Sequence, residues 1–163
     1  MINELLTHSA QDDIFEGARK GIHGVQHWFK VAQLAVMIAR AEGGDAKVAL
    51  LFGLYHDCRR ENDGRDILHG KRASDLMRRH FERGDLKIDK DQADLLSYAL
   101  IYHSDGRIVA DPTISACWDA DRLDLPRCGT QTGIEYLGTN TAKELCRLQE
   151  DFYMGDHVNY GAR

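Results

Sequence analysis

The chain has 163 residues, 43% of them apolar, which is enough for one sizeable core and too short for two ordinary domains. Its formal net charge of −5 argues against binding a nucleic-acid duplex, since that task needs a basic face to displace condensed counterions. No apolar run approaches the roughly 20 residues of a membrane-spanning helix. The four cysteines form no Cys-x-x-Cys pair and follow no secretory leader, so a reducing, cytoplasmic setting is expected.

In chain order the predicted elements are helices. Val25 to about Glu42 places Val31, Leu34, Ala35 and Ile38 at helical spacing and stops at Gly43-Gly44. Asp45 caps the next helix, Ala46 to about His56, which Val48, Leu50, Leu51, Phe52 and Leu54 make apolar almost all round, as in a central buried helix. Cys58 to Leu68 is polar, carries Asn62-Asp63-Gly64 and reads as turn and loop. A helix resumes near His69, with Ala73, Leu76, Met77, His80 and Phe81 as its inner stripe, and ends at about Arg83 before Gly84. Asp89 opens another, whose Ala93, Leu96 and Leu100 face persists to His103. Pro112 suits the first turn of a helix reaching Arg122 or beyond. Gly129 to Asn140 reads as loop or short pieces, and Thr141 to Tyr153 as a final amphipathic helix. The pattern predicts an all-α, single-domain helical bundle of about six to seven helices.

The dipeptide His56-Asp57 carries chemistry because of its place. An ionised aspartate at the end of a buried helix must be paired or metal-bound to offset its desolvation. His27 sits in the first turn of the preceding helix, and a return through Gly43-Gly44 brings the start of one helix beside the end of the next. Farther on, Asp119 and Asp121 lie on a short helix among Ala116, Trp118 and Leu123, and either carboxylate can close the set. Two imidazoles with two carboxylates suit Mn, Fe, Co, Ni, Zn or Mg better than soft copper or a structural thiolate zinc. On a six-coordinate ion such a set leaves positions for a water and a phosphate oxygen.

The order of these residues resembles the HD-domain superfamily of metal-dependent phosphohydrolases, in which H…HD…D runs along a helical bundle. HGVQHWFKVA, from His23 to Ala32, looks like the first-ligand helix with His27 as ligand, and LFGLYHDCRRE carries the pair His56-Asp57. CWDADRLD is similar to the last-ligand helix, where the second aspartate is the ligand, so the resemblance chooses Asp121 over Asp119. It covers about residues 20–125 and leaves the N-terminal stretch and the helix at about 141–153 unassigned, within one HD-type domain over 1–163.

The resemblance implies hydrolysis of a phosphate ester or anhydride of a small metabolite by metal-activated water, with a nucleotide as the leading substrate class and mono- and diesterase chemistry both open. Asp57 and Glu61 are the catalytic candidates, Glu61 as a general base. His23, Arg60, His69, Lys71, Arg72, His103 and Arg122 are the substrate-binding candidates, the cations because they suit phosphate and the imidazoles as pocket lining. In two-metal branches of the superfamily, histidines after the HD pair hold a second ion bridged by the HD aspartate. That branch often pairs histidines in the later helix, where Ile101-Tyr102-His103 offers one, so one ion is favoured and two remain open. Two other readings stand beside the enzyme: a noncatalytic nucleotide- or phosphate-binding sensor, and a di-iron oxygenase. A homodimer stays open. His80 and His157 read as core or surface histidines, Trp28 and Trp118 as core anchors, Asp119 as an orienting or capping carboxylate, and the cysteines as inert.

Overall fold

A computed structural model describes residues 2–18 and 21–158, with side chains through Gln149. Its α-helices are α1 (Ile2–Leu5), α2 (His8–Glu16), α3 (Val25–Glu42), α4 (Ala46–Tyr55), α5 (His69–Glu82), α6 (Lys90–Tyr102), α7 (Pro112–Leu123) and α8 (Asn140–Val158). Two short 3-10 turns, Leu125–Cys128 and Ile134–Tyr136, join α7 to α8. The six helices expected from periodicity form within a few residues of their predicted ends. Among the described residues there are eight α-helices rather than six to seven, because α1 and α2 span only four and nine residues, too short to show a legible stripe. His157 and the last part of the expected amphipathic stripe on α8 lie outside the described side chains. None of the described helices is long and apolar enough to cross a membrane.

α4 is the hub. Val48 through Tyr55 are all buried, and its start is fixed by Asp45, whose Oδ1 accepts from the backbone N–H groups of Lys47 and Val48 at 2.7 and 3.2 Å. Gly43, at φ +79°, ends α3 in the left-handed region and turns the chain into α4. The two helices then pack so tightly that a Cβ at Gly53 would sit 2.3 Å from the Ala32 Cα, so this crossing needs glycine. α3 and α7 flank the hub, and the side chains of these helices merge into a single buried apolar cluster.

A second close approach sets up the site. A Cβ on Gly70 would lie 2.2 Å from the Leu100 carbonyl, so glycine here lets the start of α5 press against the end of α6. His69 and His103, which flank that contact, are thereby brought together. The two tryptophans also do local positioning: Trp28 Nε1 donates to the His23 carbonyl at 2.8 Å and Trp118 Nε1 to the Ala99 carbonyl at 2.9 Å. The first of these holds the turn that carries His23 against α3.

Candidate metal centre

Helix ends supply the site. His27 comes from the first turn of α3, His56 and Asp57 follow the last residue of α4, His69 begins α5, His103 caps α6, and Asp121 lies in the last turn of α7. The imidazoles of His27, His56, His69 and His103 are all at least 95% buried. Nε2 of His27 lies 3.0 Å from Nε2 of His56, and Nε2 of His69 lies 2.7 Å from Nε2 of His103. Asp121 Oδ1 is 3.3 Å from the His27 ring and 3.7 Å from that of His56. Asp57 spans the two pairs: Oδ2 lies 3.7 Å from both His27 and His56, while Oδ1 lies 3.3 Å from His69 and 3.9 Å from His103.

The other ring nitrogens explain what these short approaches mean. Nδ1 of His56 donates to the Gly53 carbonyl at 3.0 Å, Nδ1 of His103 to the Leu100 carbonyl at 2.8 Å, and Nδ1 of His69 to the Asp66 carbonyl, each three residues back along the chain. Nδ1 of His27 donates to Asp124 Oδ2 at 2.8 Å. With Nδ1 carrying the proton, Nε2 is a bare acceptor, so lone pairs face lone pairs and carboxylate oxygens. Something positive must lie between them.

Proton affinities separate the two pairs. Burial lowers the pKa of His27, but hydrogen bonds to the Asp121 and Asp124 carboxylates outweigh it and leave the ring raised, so a proton there can bridge to His56. Burial depresses His103 and, together with the neighbouring His103 ring, pushes His69 down to about 4, so neither readily supplies such a proton. Burial opposes charge on Asp57 as well, yet the His56 ring, a hydrogen bond from His23 and the Arg60 guanidinium hold its carboxyl well below the usual carboxylate range. The donor sets His27/His56/Asp121 and Asp57/His69/His103 each gather their ligand atoms within 4.8 Å of one another. Two nitrogens bound side by side on one ion at about 2.1 Å stand about 3 Å apart, close to both observed separations. The residues fit divalent ions of the hard-to-borderline kind.

The centre opens into a cavity of about 380 Å³ lined by His23, Asp57, His103 and Asp121 together with Arg60, Arg127, Ser104 and Tyr136. The HD-domain family model matches residues 24–127, a span that contains all six of these ligand-type residues. The chain belongs to the HD-domain family. The solved structure of a "predicted HD superfamily hydrolase" from an uncultured Thermotogales bacterium superposes on this HD domain with a TM-score of 0.75. That match covers 94% of this chain and 90% of the other at 21% identity, a likeness of fold. No curated protein matches.

Not every residue expected at the HD-domain centre is brought to it. Arg60 is: its Nε donates to Asp57 Oδ1 at 2.9 Å and its Nη1 pins the Asn62 and Gly64 carbonyls. His23 is also there, Nδ1 lying 2.8 Å from Asp57 Oδ2. Glu61 instead points outward, its side chain 71% exposed and 3.6 Å from Arg72, because the loop after Asp57 turns away from the centre. Lys71 pairs with Asp75 on the outer face of α5 at 2.5 Å, and Arg72 with Asp66 at 2.5 Å. Lys71, two residues beyond His69, leaves the inward face of the helix, whereas Arg72 is held away from the centre by Asp66 and by the Arg59 carbonyl, which its Nε reaches at 3.0 Å. Arg122 lines the cavity, but its guanidinium is engaged by the Tyr136 and Arg107 carbonyls at 2.6 and 2.7 Å, so it staples two loops. Asp119 accepts from Gly138 and Thr139 and holds the chain that enters α8.

Two residues outside the expected set also reach the centre. Asp124 contacts His27, and Arg127 reaches into the cavity with Nη2 3.4 Å from His23 Nδ1. A usable signal existed for the first. Asp124 is the third aspartate of WDADRLD, one helical turn beyond Asp121, and so returns toward the same side.

Proposed function

We propose that this HD-domain protein is a phosphohydrolase that holds two divalent ions, one at His27, His56 and Asp121 and the other at His69 and His103, with Asp57 between them. The observation that carries the reading is the pair of opposed imidazole couples spanned by one carboxylate beneath an arginine-walled cavity. It departs from the one-ion expectation. A single histidine in the IYHSDG segment suffices, because His69 from the preceding helix supplies the second imidazole.

When bound, the ions lower the pKa of a water and neutralise charge developing at phosphorus. The chain's own residues do the rest. Arg60 and Arg127, on the cavity walls, offer guanidinium N–H groups to phosphate oxygens. His23 has one nitrogen engaged by Asp57, which leaves Nε2 to carry a proton to the departing oxygen. Deep burial of the imidazoles limits access to one terminal group at a time, which favours a small phosphomonoester or the end phosphate of a nucleotide. Tyr136, half-exposed on the wall, offers a ring face to a base.

The test is a screen of nucleoside phosphates and sugar phosphates with Mn, Co, Ni, Fe, Zn or Mg supplied, reading phosphate release. Turnover of at least one compound is expected. Saturable nucleotide binding with no phosphate released from any of them would replace the enzyme by the noncatalytic sensor. Four imidazoles and two carboxylates also suit a di-iron pair, which keeps the oxygenase as the second reading. Two irons per chain with dioxygen consumption and no phosphate release would select it; the arginines on the wall favour phosphate.

A further inference from the structure

Asp124 belongs to neither ligand set, yet it touches both the ion site and the substrate wall. Its carboxylate is 1% exposed at the C-terminal end of α7. Oδ2 accepts from His27 Nδ1 at 2.8 Å, and Oδ1 lies 2.5 Å from the Lys30 ammonium. Its backbone carbonyl accepts from Arg127 Nη1 at 3.0 Å, and Oδ2 is 3.4 Å from Arg127 Nε. His27 therefore differs from the other buried rings of the centre. His56, His69 and His103 each give their Nδ1 proton to a peptide carbonyl, whereas His27 gives it to an anion.

The distinction has a chemical consequence. A carboxylate behind an imidazole locks the Nδ1–H tautomer and makes the opposite nitrogen a stronger donor to a metal, and losing such a partner typically costs 10–100-fold in affinity. Lys30 and Arg127 supply the counter-charge that keeps a buried carboxylate ionised. We propose that Asp124 is a positioning residue that fixes His27 as an Nε2 ligand and, through its carbonyl, sets Arg127 at a constant distance from the ion held there. This rests on the metal-centre reading above and adds a residue to it.

The experiment is calorimetric titration of Mn(II) into chelator-treated wild-type, Asp124→Asn, His27→Gln and double-variant proteins. Asparagine keeps the size and an acceptor oxygen but not the charge. One of the two wild-type affinities is expected to fall about tenfold or more in Asp124→Asn, with the other unchanged. The double variant is expected to bind like His27→Gln, because Asp124 acts through His27. Wild-type affinities in Asp124→Asn, or an additional loss in the double variant, would overturn the proposal. A wild-type protein that binds no Mn(II) at all would instead remove the metal centre on which it depends. Should Asp124→Asn not fold, the zinc-loaded wild-type protein decides by its imidazole ¹⁵N spectrum at alkaline pH. A proton on His27 Nδ1 is expected, and a proton on Nε2 overturns the proposal.

Discussion

Two histidine clusters in this bundle are equally buried and do opposite things. At the metal centre, four Nε2 atoms face one another and two carboxylates. Across α4, His80 is fully buried with both ring nitrogens served: Nδ1 accepts from the Tyr55 hydroxyl at 2.6 Å and Nε2 donates to Asp13 at 3.0 Å. The second arrangement closes its own hydrogen-bond account and ties α2 to α4 and α5. The first sets acceptors against acceptors, an arrangement that a proton or a divalent cation would close. Donor and acceptor bookkeeping, rather than burial or histidine content, separates a ligand site from a structural clip.

Substitutions should divide the two clusters cleanly. The largest effect is expected from Asp57→Ala, which removes the carboxylate lying between the two imidazole pairs: elemental analysis should show both ions lost and phosphate release abolished together. Retention of two ions would break the comparison. His69→Gln should be next, leaving one ion per chain in the same assay, since His27, His56 and Asp121 remain intact. His80→Phe belongs to the other class. It strands the buried Tyr55 hydroxyl at a cost of about 1–3 kcal/mol, so Tm should fall by several degrees while the metal titration stays unchanged.

Acid should weaken both clusters in the chelated protein. Burial lowers the proton affinity of His56, His69, His80 and His103 in the fold, so the unfolded chain binds more protons below its ordinary histidine pKa of about 6.5. Stability from these groups is complete above that value and is lost as pH falls toward about 4, the value at which His69 titrates in the fold. His27, raised by its carboxylates, contributes with the opposite sign and offsets part of the loss. The urea midpoint should therefore drop between neutral pH and about pH 5. A flat profile would mean that the rings are not held neutral. The smallest effect is expected at the exposed outer face: Lys71→Ala removes a surface pair of the kind that contributes about 0.5 kcal/mol, and neither the metal titration nor turnover should change.

How much of this was legible beforehand follows from the kind of signal each feature carries. The six long helices were readable because an apolar stripe repeats along them and Asp45, Asp89, Gly43 and Pro112 punctuate their ends. The set His27, His56, Asp57 and Asp121 was readable because those residues sit at helix ends whose order along the chain resembles the HD pattern. Glu61, Lys71 and Arg72 were named for adjacency in sequence; the loop bends Glu61 outward, the helix turns Lys71 outward at about 100° per residue, and Asp66 with the Arg59 carbonyl keeps Arg72 from the centre. The second ion's donors could be listed but not paired. Joining His69 to His103 requires α5 to lie against α6 at a distance that only Gly70 permits.

The sequence by itself determined an all-helical chain, roughly where its six longer helices begin and end, and which side chains are chemically able to hold a divalent ion, since these depend on local periodicity, capping and residue type. Only the tertiary structure decided that two imidazole pairs oppose one another across Asp57, that Asp124 backs His27, and that Arg127 rather than Lys71 reaches the cavity. Those facts depend on how helices distant in sequence cross, and crossings are set by close packing over the whole core.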